Sequence, residues 1–208
     1  TFIYTGNGLA RAEDLWMSEI NVDVATDSRR DQENLVAKAT NVFNTGRKTV
    51  YRLVAKEWYS VRLTRDHRVL TENGWVESGN LKKGDRIFIL NRKGGFGQKG
   101  NLDTGRVLGW VVCDGTVKSD GVVLSFFGKE KQKLAPTFAG IVSRLVEGKQ
   151  KLKRRYDVGV VEIPGRDEAR VSSKRLFEVL KEYGLLESRK SVPDPILEAS
   201  EDFQRGFL

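Results

Sequence analysis

The spacing of apolar residues changes at a glycine-rich stretch near the middle of the chain, NRKGGFGQKGN at 91–101. Before it, short runs rich in β-branched and aromatic residues alternate with turn residues, which predicts strands. After it, apolar residues recur every three or four positions, which predicts amphipathic helices. Glycine and polar residues with neither spacing are typical of a linker. We therefore predict a mostly β domain over 1–92, a linker over 93–102 and an α+β domain over 103–208.

The β domain is predicted to consist of short strands joined by tight turns. Asn73-Gly74 and Gly84-Asp85 are dipeptides that favour such turns. The predicted strands lie in the segments TVYRLVAKE, WYSVRLT, HRVLT and DRIFIL, between 48 and 90.

Two amphipathic helices are predicted in the α+β domain, over 129–148 and 172–184. Pro136 lies inside the first helix, where it either costs stability or marks the true helical start. A serine cap and Gly184 are predicted to bound the second helix. With strand-like segments between them, the order is helix, two strands, helix, two strands, helix.

Composition restricts the class of protein. The apolar fraction of 39% and charged fraction of 31% are typical of a soluble globular protein. A membrane span needs about 18 apolar residues in a row, and the sequence has no such run. The first residues lack the basic start and apolar centre of a signal peptide. One cysteine cannot form an internal disulfide, so we expect a reducing, cytoplasmic location.

Positive charge favours a polyanionic partner, most simply nucleic acid. The net charge is +8, and residues 91–208 contribute +6 of it, with 22 Lys and Arg against 16 Asp and Glu. Four cations there alternate along the chain, and in a strand they would share one face that meets phosphates or base edges. The alternative is a solvated turn before a strand. These cations are Lys149, Lys151, Lys153 and Arg155.

The stretch RVLGWVVCDGTV (106–117) allows two structures. Asp114-Gly115 is a strong hairpin signal, so an apolar strand could turn there. The same apolar run could instead be a helix that presents the Asp114 carboxylate at its end. The residues of this stretch alone leave both open.

His67 is the only histidine of the chain, and its setting is distinctive. A single histidine beside strands is most often a satisfied core or surface group. Here Thr64-Arg65-Asp66-His67 precedes a strand, a turn and the segment Leu81-Lys82-Lys83-Gly84-Asp85, and the chain opens with TFIYTGNGLARAEDLW. Together these motifs resemble the Hint domain, the self-splicing part of inteins, over roughly 1–90.

The resemblance implies roles for several residues. Splicing begins when a Cys or Ser attacks its own preceding peptide carbonyl, a step that needs a proton donor and oxyanion donors but no cofactor. His67 would donate the proton to the departing nitrogen, and Thr64 would orient the amide. Gly84 and Asp85 would form a structural turn. The expected nucleophile precedes Thr1 and the chain lacks the terminal His-Asn pair, so we expect a fragment.

With a Hint-like block before it, VLGWVVCDG resembles the first motif of LAGLIDADG homing endonucleases. Leu108-Gly109 and Asp114-Gly115 match its anchor positions, whereas Trp110 and Cys113 are less usual there. The resemblance implies that Gly109 lets a second helix approach. It also implies that Asp114 and Gly115 form the metal site at the helix end. A carboxylate there opposes the helix dipole, and Mg²⁺ would remove that penalty.

Two later segments extend this resemblance. SRKSVPDPIL resembles the family's Lys-x-x-Pro block, which implies that Lys190 assists near the cleaved phosphate. EDFQRGFL (201–208) resembles the approach to the second helix of the family, whose aspartate would lie beyond the sequence.

The combined resemblance implies an all-β, horseshoe-like Hint domain followed by an αββαββα LAGLIDADG half-domain. The implied activity, in the full-length form, is autocatalytic splicing with Mg²⁺-dependent double-strand cleavage of the intein-less allele. The implied partners are double-stranded DNA and the flanking extein segments, with no membrane. The full-length form is expected to be a monomer. The hosts would be nucleotide- or DNA-metabolism enzymes, ribonucleotide reductases among them. The fragment itself is expected to be inactive.

Three alternatives are open. A degenerate intein would splice without cutting DNA, and an α+β module would bind DNA without catalysis. A Hint-type autoprocessing domain of a secreted protein is the third. The basic second half and the absence of a cysteine framework argue against it.

Overall fold

The computed structural model describes residues 1–18, 21–26, 36–56, 59–90, 95–119, 121–147, 157–186 and 192–208. The chain divides into two compact units, Thr1–Gly95 and Phe96–Leu208. Within the described ranges, no helix is both long and apolar enough to cross a membrane.

The N-terminal unit begins with a four-stranded antiparallel sheet of order β2-β1-β3-β4. A short helix, α1, follows the first hairpin. The elements are β1 (Phe2–Thr5), β2 (Gly8–Arg11), α1 (Ala12–Ser18), β3 (Val22–Ala25) and β4 (Val36–Ala39).

Two separate hairpins complete the described part of this unit. Strand β5 pairs with β6, and β7 pairs with β8, both antiparallel. A 3₁₀ turn, Ser78–Asn80, follows them. The strands are β5 (Val50–Val54), β6 (Ser60–Thr64), β7 (Arg68–Thr71) and β8 (Gly74–Glu77).

The strand predicted in DRIFIL is wrong. Residues 85–90 meet β7 at the single bridge Thr71–Ile87 and form no strand. Gly84 has φ +104°, and the Asp85 carboxylate accepts the Lys82 N–H at 2.7 Å, so a tight turn precedes the segment. The apolar residues after the bridge stay exposed, which removes the burial that normally stabilises a strand.

Two hairpin turns of the N-terminal unit share one sequence pattern, Thr-x-Asn-Gly. In the first, the Thr5 hydroxyl donates to Gly8 O at 2.7 Å and accepts the Asn7 N–H at 3.1 Å. In the second, Thr71 makes the same two bonds with Gly74 O and Asn73 N, at 2.9 and 3.1 Å. Both glycines have positive φ, which is accessible to glycine at little cost.

The C-terminal unit consists of one antiparallel sheet of order β11-β12-β10-β9 with helices on one face. Val122, Leu124 and Phe126 alternate along β10 and are buried beneath the helices, forming one core with residues of β12 and of the helices. The elements are α2 (Leu102–Asp114), β9 (Gly115–Lys118), β10 (Gly121–Phe127), α3 (Lys131–Glu147), β11 (Val160–Glu162), β12 (Glu168–Ser173), α4 (Leu176–Glu182), α5 (Asp194–Leu197) and α6 (Glu201–Phe207).

The structure decides the open alternative for Pro136, corrects the predicted cap of α4 and confirms Gly184 as the end of that region. Helix α3 begins at Lys131, so Pro136 lies within it rather than at its start. The predicted serine cap of α4 is wrong, because Ser172 and Ser173 pair in β12 and Arg175 takes the cap position. Gly184 ends that region with φ +68°.

The last part of the predicted linker belongs to the C-terminal unit. The Gly97 N–H donates to Ala199 O at 3.1 Å, and the Ser200 hydroxyl donates to Gly100 O at 2.7 Å. The Lys99 ammonium lies 4.5 Å from the centroid of the Tyr183 ring. These bonds hold the segment against α4 and α6, so composition alone overestimated the linker.

Candidate functional site

The Thr64–His67 segment is a tight turn fixed by its neighbours. The His67 N–H donates to Thr64 O at 3.1 Å, which closes the turn. Ser78 holds both ends, since its hydroxyl donates to Thr64 O and its N–H donates to His67 O, each at 2.7 Å. Gly79 completes the clamp by donating its N–H to Arg65 O at 2.9 Å. The two residues that the sequence analysis singled out are therefore brought to one rigid turn.

The Thr64 hydroxyl is engaged within the turn. It hydrogen-bonds the Asp66 carboxylate, which is the largest of the influences that lower the pKa of Asp66. The Asp66 backbone N–H and the Lys48 ammonium, 3.6 Å away, act in the same direction. Thr64 thus orients Asp66 in this structure, and reaching a scissile amide would require a change of its hydrogen-bond partner.

The exposed His67 side chain lies at the edge of an apolar cleft of about 490 Å³. An imidazole beside such a cleft can exchange a proton with a peptide lying along the apolar wall. The wall is formed mainly by Leu53, Tyr59, Val61, Leu70, Trp75 and Phe88.

The stretch 102–114 is a helix, so the hairpin alternative for Asp114-Gly115 is wrong. Asn101 caps α2, its side-chain oxygen accepting the Thr104 N–H at 2.9 Å. Asp114 is the last helical residue and is exposed. Gly115 leaves the helix in extended conformation, with φ −87°, so no left-handed turn requires it. Lack of space requires glycine at this position instead, because a Cβ on residue 115 would collide with the Val111 backbone.

Helices α2 and α6 pack backbone to backbone through glycines. A Cβ at Gly105 would collide with Phe203 O, and one at Gly109 would collide with Phe207 O. On the opposite helix, a Cβ at Gly206 would collide with Leu102 O. The two helices can approach this closely only because these positions lack side chains.

The contacts of Gly105 and Gly206 are reciprocal. Gly105 faces Phe203 and Phe207, whereas Gly206 faces Leu102 and Arg106. Phe203 follows Leu102 along the chain by the same distance as Gly206 follows Gly105. The two helices are therefore related by a local two-fold axis. This operation pairs Asp114 with the ninth position after Gly206.

The donor set for a metal ion is limited in the described part of the chain. No group of three or more His, Cys, Asp or Glu side chains comes together there. Asp114 offers a single carboxylate, and Mg²⁺ is commonly held by one or two carboxylates with water and substrate phosphate. The site thus fits Mg²⁺ as one contributor, with Gly115 adjoining it. Lys190 and the four alternating cations, Lys149, Lys151, Lys153 and Arg155, lie outside the described residues.

The sequence analysis missed the sheet face opposite the helices. Glu168, Arg170 and Ser172 alternate along β12 with the helix-facing Ala169, Val171 and Ser173. The signal was the period of two in EARVSS. This open face is defined by Thr116, Lys118, Val123, Ser125, Phe127, Val161, Glu168, Arg170 and Ser172.

A buried carboxylate stands out on the open face. The Glu168 side chain is 5% exposed and accepts bonds from Arg170 Nε and Nη2 at 2.6 and 3.0 Å. The Ser125 hydroxyl donates to it at 2.9 Å. The Arg170 hydrogen bonds, followed by that of Ser125 and the charge of Arg166, lower the pKa of Glu168 against the effect of burial. Glu168 is consequently held as an anion.

No family model matches the sequence. It is similar to the ribonucleoside-diphosphate reductase NrdEB subunit alpha of Bacillus subtilis (strain 168), 23% identical over 232 residues, covering all of this chain and 21% of that protein. Protein RecA of Mycobacterium tuberculosis (strain ATCC 25618 / H37Rv) is 40% identical over 75 residues, 35% of this chain and 10% of RecA. The replicative DNA helicase DnaB of Rhodothermus marinus is 39% identical over 56 residues, 27% of this chain and 6% of that protein. The chain thus spans about a fifth or less of each of these relatives.

Proposed function

We propose that the chain is part of an intein: a Hint splicing domain followed by the first half of a LAGLIDADG homing endonuclease. The observation that carries the proposal is the glycine-mediated, two-fold packing of α2 against α6. Such packing would bring the ends of two equivalent helices together, where each would contribute a carboxylate to a shared metal-dependent site. A hairpin or an isolated helix would give no reason for three glycines at these contacts.

The pattern of relatives supports the same proposal. A reductase subunit, RecA and a helicase carry different names, yet short parts of each resemble this chain. A segment that recurs as a small part of otherwise different proteins is expected of an inserted element. It is not expected of a domain that serves the host's own reaction.

In the splicing domain, His67 would donate a proton to the departing amide nitrogen from its turn beside the apolar cleft. The clamp by Ser78 and Gly79 holds the His67 backbone in a fixed position, which lowers the entropic cost of reaching the transition state. Thr64 would exchange its bond with Asp66 for one to the scissile amide. Asp66 would keep its ion pair with Lys48, 3.6 Å away.

In the nuclease domain, Asp114 would hold Mg²⁺, with Gly115 allowing the tight exit of the chain. When bound, the ion would supply charge neutralisation at the scissile phosphate. Asp114 would bind and orient, and Lys190 would assist near the phosphate. The open sheet face, together with Lys149, Lys151, Lys153 and Arg155, would contact double-stranded DNA.

The first test is the reading frame that encodes this chain. A Cys or Ser directly before the Hint block, an acidic residue followed by glycine at the ninth and tenth positions after Gly206, and a distal His-Asn pair are expected. Expressed between two affinity tags, that full frame should ligate the tags, and His67→Ala should reduce ligation by about 100-fold or more. Ligation unchanged by His67→Ala would overturn the assigned role, and unligated tags would overturn the splicing proposal.

A second candidate is a DNA-binding module without catalysis, favoured by the single carboxylate at the end of α2 in the described chain. The two candidates differ in Mg²⁺ dependence. Nicking of supercoiled plasmid by the full frame in Mg²⁺, abolished by Asp114→Asn with duplex binding retained, would establish the enzyme. Duplex binding without nicking would favour the DNA-binding module without catalysis.

A further inference from the structure

The open face carries one cation whose orientation is fixed before any ligand arrives. A guanidinium group has two donor forks, a side fork of Nε and Nη2 and an end fork of Nη1 and Nη2. In Arg170 the side fork binds both Glu168 oxygens, at 2.6 and 3.0 Å. Nη1 has no hydrogen-bond partner among the described residues, Nη2 keeps one hydrogen beyond its bond to Glu168, and the Arg170 side chain is 33% exposed.

Glu168 is itself held in place. Its side chain is 5% exposed, and Ser125 on the neighbouring strand β10 donates to the same oxygen that Arg170 Nε bonds. The carbonyl of Ser125 in turn accepts the indole N–H of Trp110 in α2 at 3.0 Å. A chain of hydrogen bonds therefore runs from the helix layer through the sheet to the guanidinium of Arg170.

Fixing the Arg170 side chain before a ligand binds reduces the entropy that is lost on binding. A free arginine loses side-chain entropy when it binds, and Arg170 has already lost most of it. Besides Glu168, charge near the pair comes from Arg166, whose Nη1 lies 3.9 Å from Glu168 Oε2, and the open face also carries Lys118. Both are cations and offer the end fork no competing acceptor, so it can approach a flat ligand. A planar pair of acceptors is the ligand that this fork matches, and in the major groove guanine offers such a pair at O6 and N7.

We propose that Arg170 reads a guanine base in the major groove and that Glu168 is the positioning residue that aims it. This inference rests on the proposed function, in which the open face contacts double-stranded DNA. It deepens that function by assigning one base preference to one side chain. The opposing possibility is that the Glu168–Arg170 pair only joins β10 to β12.

The test is selection of bound duplexes from a random-sequence library by the 208-residue chain, followed by sequencing. Wild type is expected to enrich guanine at one position. Arg170→Lys keeps the charge but loses the planar fork, so that enrichment should fall by about tenfold while other positions are unchanged. Glu168→Gln should weaken the same preference without abolishing it. Lys133→Gln, an exposed cation on α3, removes a charge away from the open face and should leave the preference intact.

A probe that needs no variant guards against misfolding. Replacing the selected guanine by 7-deazaguanine removes the N7 acceptor, and wild type should then bind about tenfold more weakly. Arg170→Lys should lose less than about twofold on the same replacement, since it no longer uses that acceptor pair.

The outcomes separate the two levels of the proposal. If the chain selects a sequence but Arg170→Lys leaves every base preference unchanged, the guanine assignment is wrong and the proposed DNA contact stands. Indifference of the wild type to 7-deazaguanine has the same meaning. If the wild type binds no duplex at low salt, the guanine assignment fails, whereas the proposed nuclease function is tested separately by plasmid nicking with the full frame.

Discussion

The two units of this chain bury apolar surface very differently. In the described part of the N-terminal unit only Ala10 and Leu63 are buried apolar residues, each 9% exposed. The other buried apolar residues all lie in the C-terminal unit, in one cluster that joins the sheet to the helices. The comparison shows that a layer of helices gives the C-terminal unit its own core. The separate hairpins of the N-terminal unit depend more on local hydrogen bonds.

The exposed apolar residues of the N-terminal unit are not scattered. Several of them line the cleft beside His67, including Tyr59, Val61, Trp75 and Phe88. A surface of this kind normally marks a place where a peptide or another segment binds. The apolar residues that would form a core in an independent domain here surround the candidate catalytic histidine.

The largest expected effect is the loss of stability when a buried leucine is replaced by alanine, compared between the two units. Leu124→Ala creates a cavity beneath the helices and should cost about 3–4 kcal/mol of local unfolding free energy, against about 1–2 kcal/mol for Leu63→Ala. Hydrogen exchange followed by mass spectrometry reports each unit through its own peptides. Equal costs would show that the two cores are equally well packed and would remove the basis of the comparison.

The next largest effect is a difference in stability between Gly→Ala substitutions at two helical positions of the C-terminal unit. Gly105→Ala forces a methyl group against the Phe203 carbonyl and should destabilise the unit by about 2 kcal/mol. Gly140→Ala is the matched control, because its Cβ meets nothing nearer than Arg144 Nη1 at 3.8 Å. It should stabilise α3 by about 0.5–1 kcal/mol through helix propensity. Thermal unfolding of both variants gives the sign directly. Tolerance of Gly105→Ala would contradict the close packing of α2 and α6.

The general layout could be predicted from the sequence because it is set by periodicity. The three-to-four spacing from Leu134 onward predicts α3, and β12 lies among the strand-like segments predicted between the helices. The strand predicted in DRIFIL did not form, because the segment meets β7 only at the Ile87 bridge and the Phe88 N–H bond to Leu70 O, and no strand of the described chain pairs along the rest of it. Long-range pairing of this kind is invisible in local sequence.

The candidate site shows the same division. Thr64 and His67 share a turn that their spacing of three residues already favours. The partners that fix the turn, Ser78 and Gly79, come from another element, and no local pattern predicts their contact with it. The Glu168–Arg170 clamp was missed because its third member, Ser125, lies on a different strand.

A smaller effect tests the two Thr-x-Asn-Gly turns within the less well packed unit. Thr5→Val and Thr71→Val each remove an acceptor for an Asn N–H and a donor to a glycine carbonyl, and should each cost about 1–2 kcal/mol. Thr→Ser at either position keeps the hydroxyl and is the control. Hydrogen exchange of the two hairpins should accelerate in the valine variants only. If exchange is unchanged, local turn bonds do not support this unit.

The smallest expected effect is on how the stability of each unit falls as the pH is lowered. A carboxyl group whose pKa is lowered by folding stabilises the native state above its unfolded pKa, near about 4.3 for Glu, and loses that contribution as pH falls through the folded pKa. The pKa values of Glu168 and Asp66 are both lowered, but the side chain of Glu168 is 5% exposed and that of Asp66 is 66% exposed. Solvent therefore screens the charge interactions of Asp66 far more than those of Glu168.

Glu168→Gln should therefore flatten the acid loss of stability in the C-terminal unit, whereas Asp66→Asn should barely alter that of the N-terminal unit. Urea unfolding between pH 3 and pH 6, read through peptides of each unit, measures both slopes in one series. A glutamine side chain has only one acceptor oxygen and cannot accept both Arg170 hydrogen bonds. The Glu168→Gln variant should therefore also be less stable at neutral pH. An Asp66→Asn effect as large as that of Glu168→Gln would show that exposure does not separate the two carboxylates, and that the units differ less in their electrostatics than in their cores.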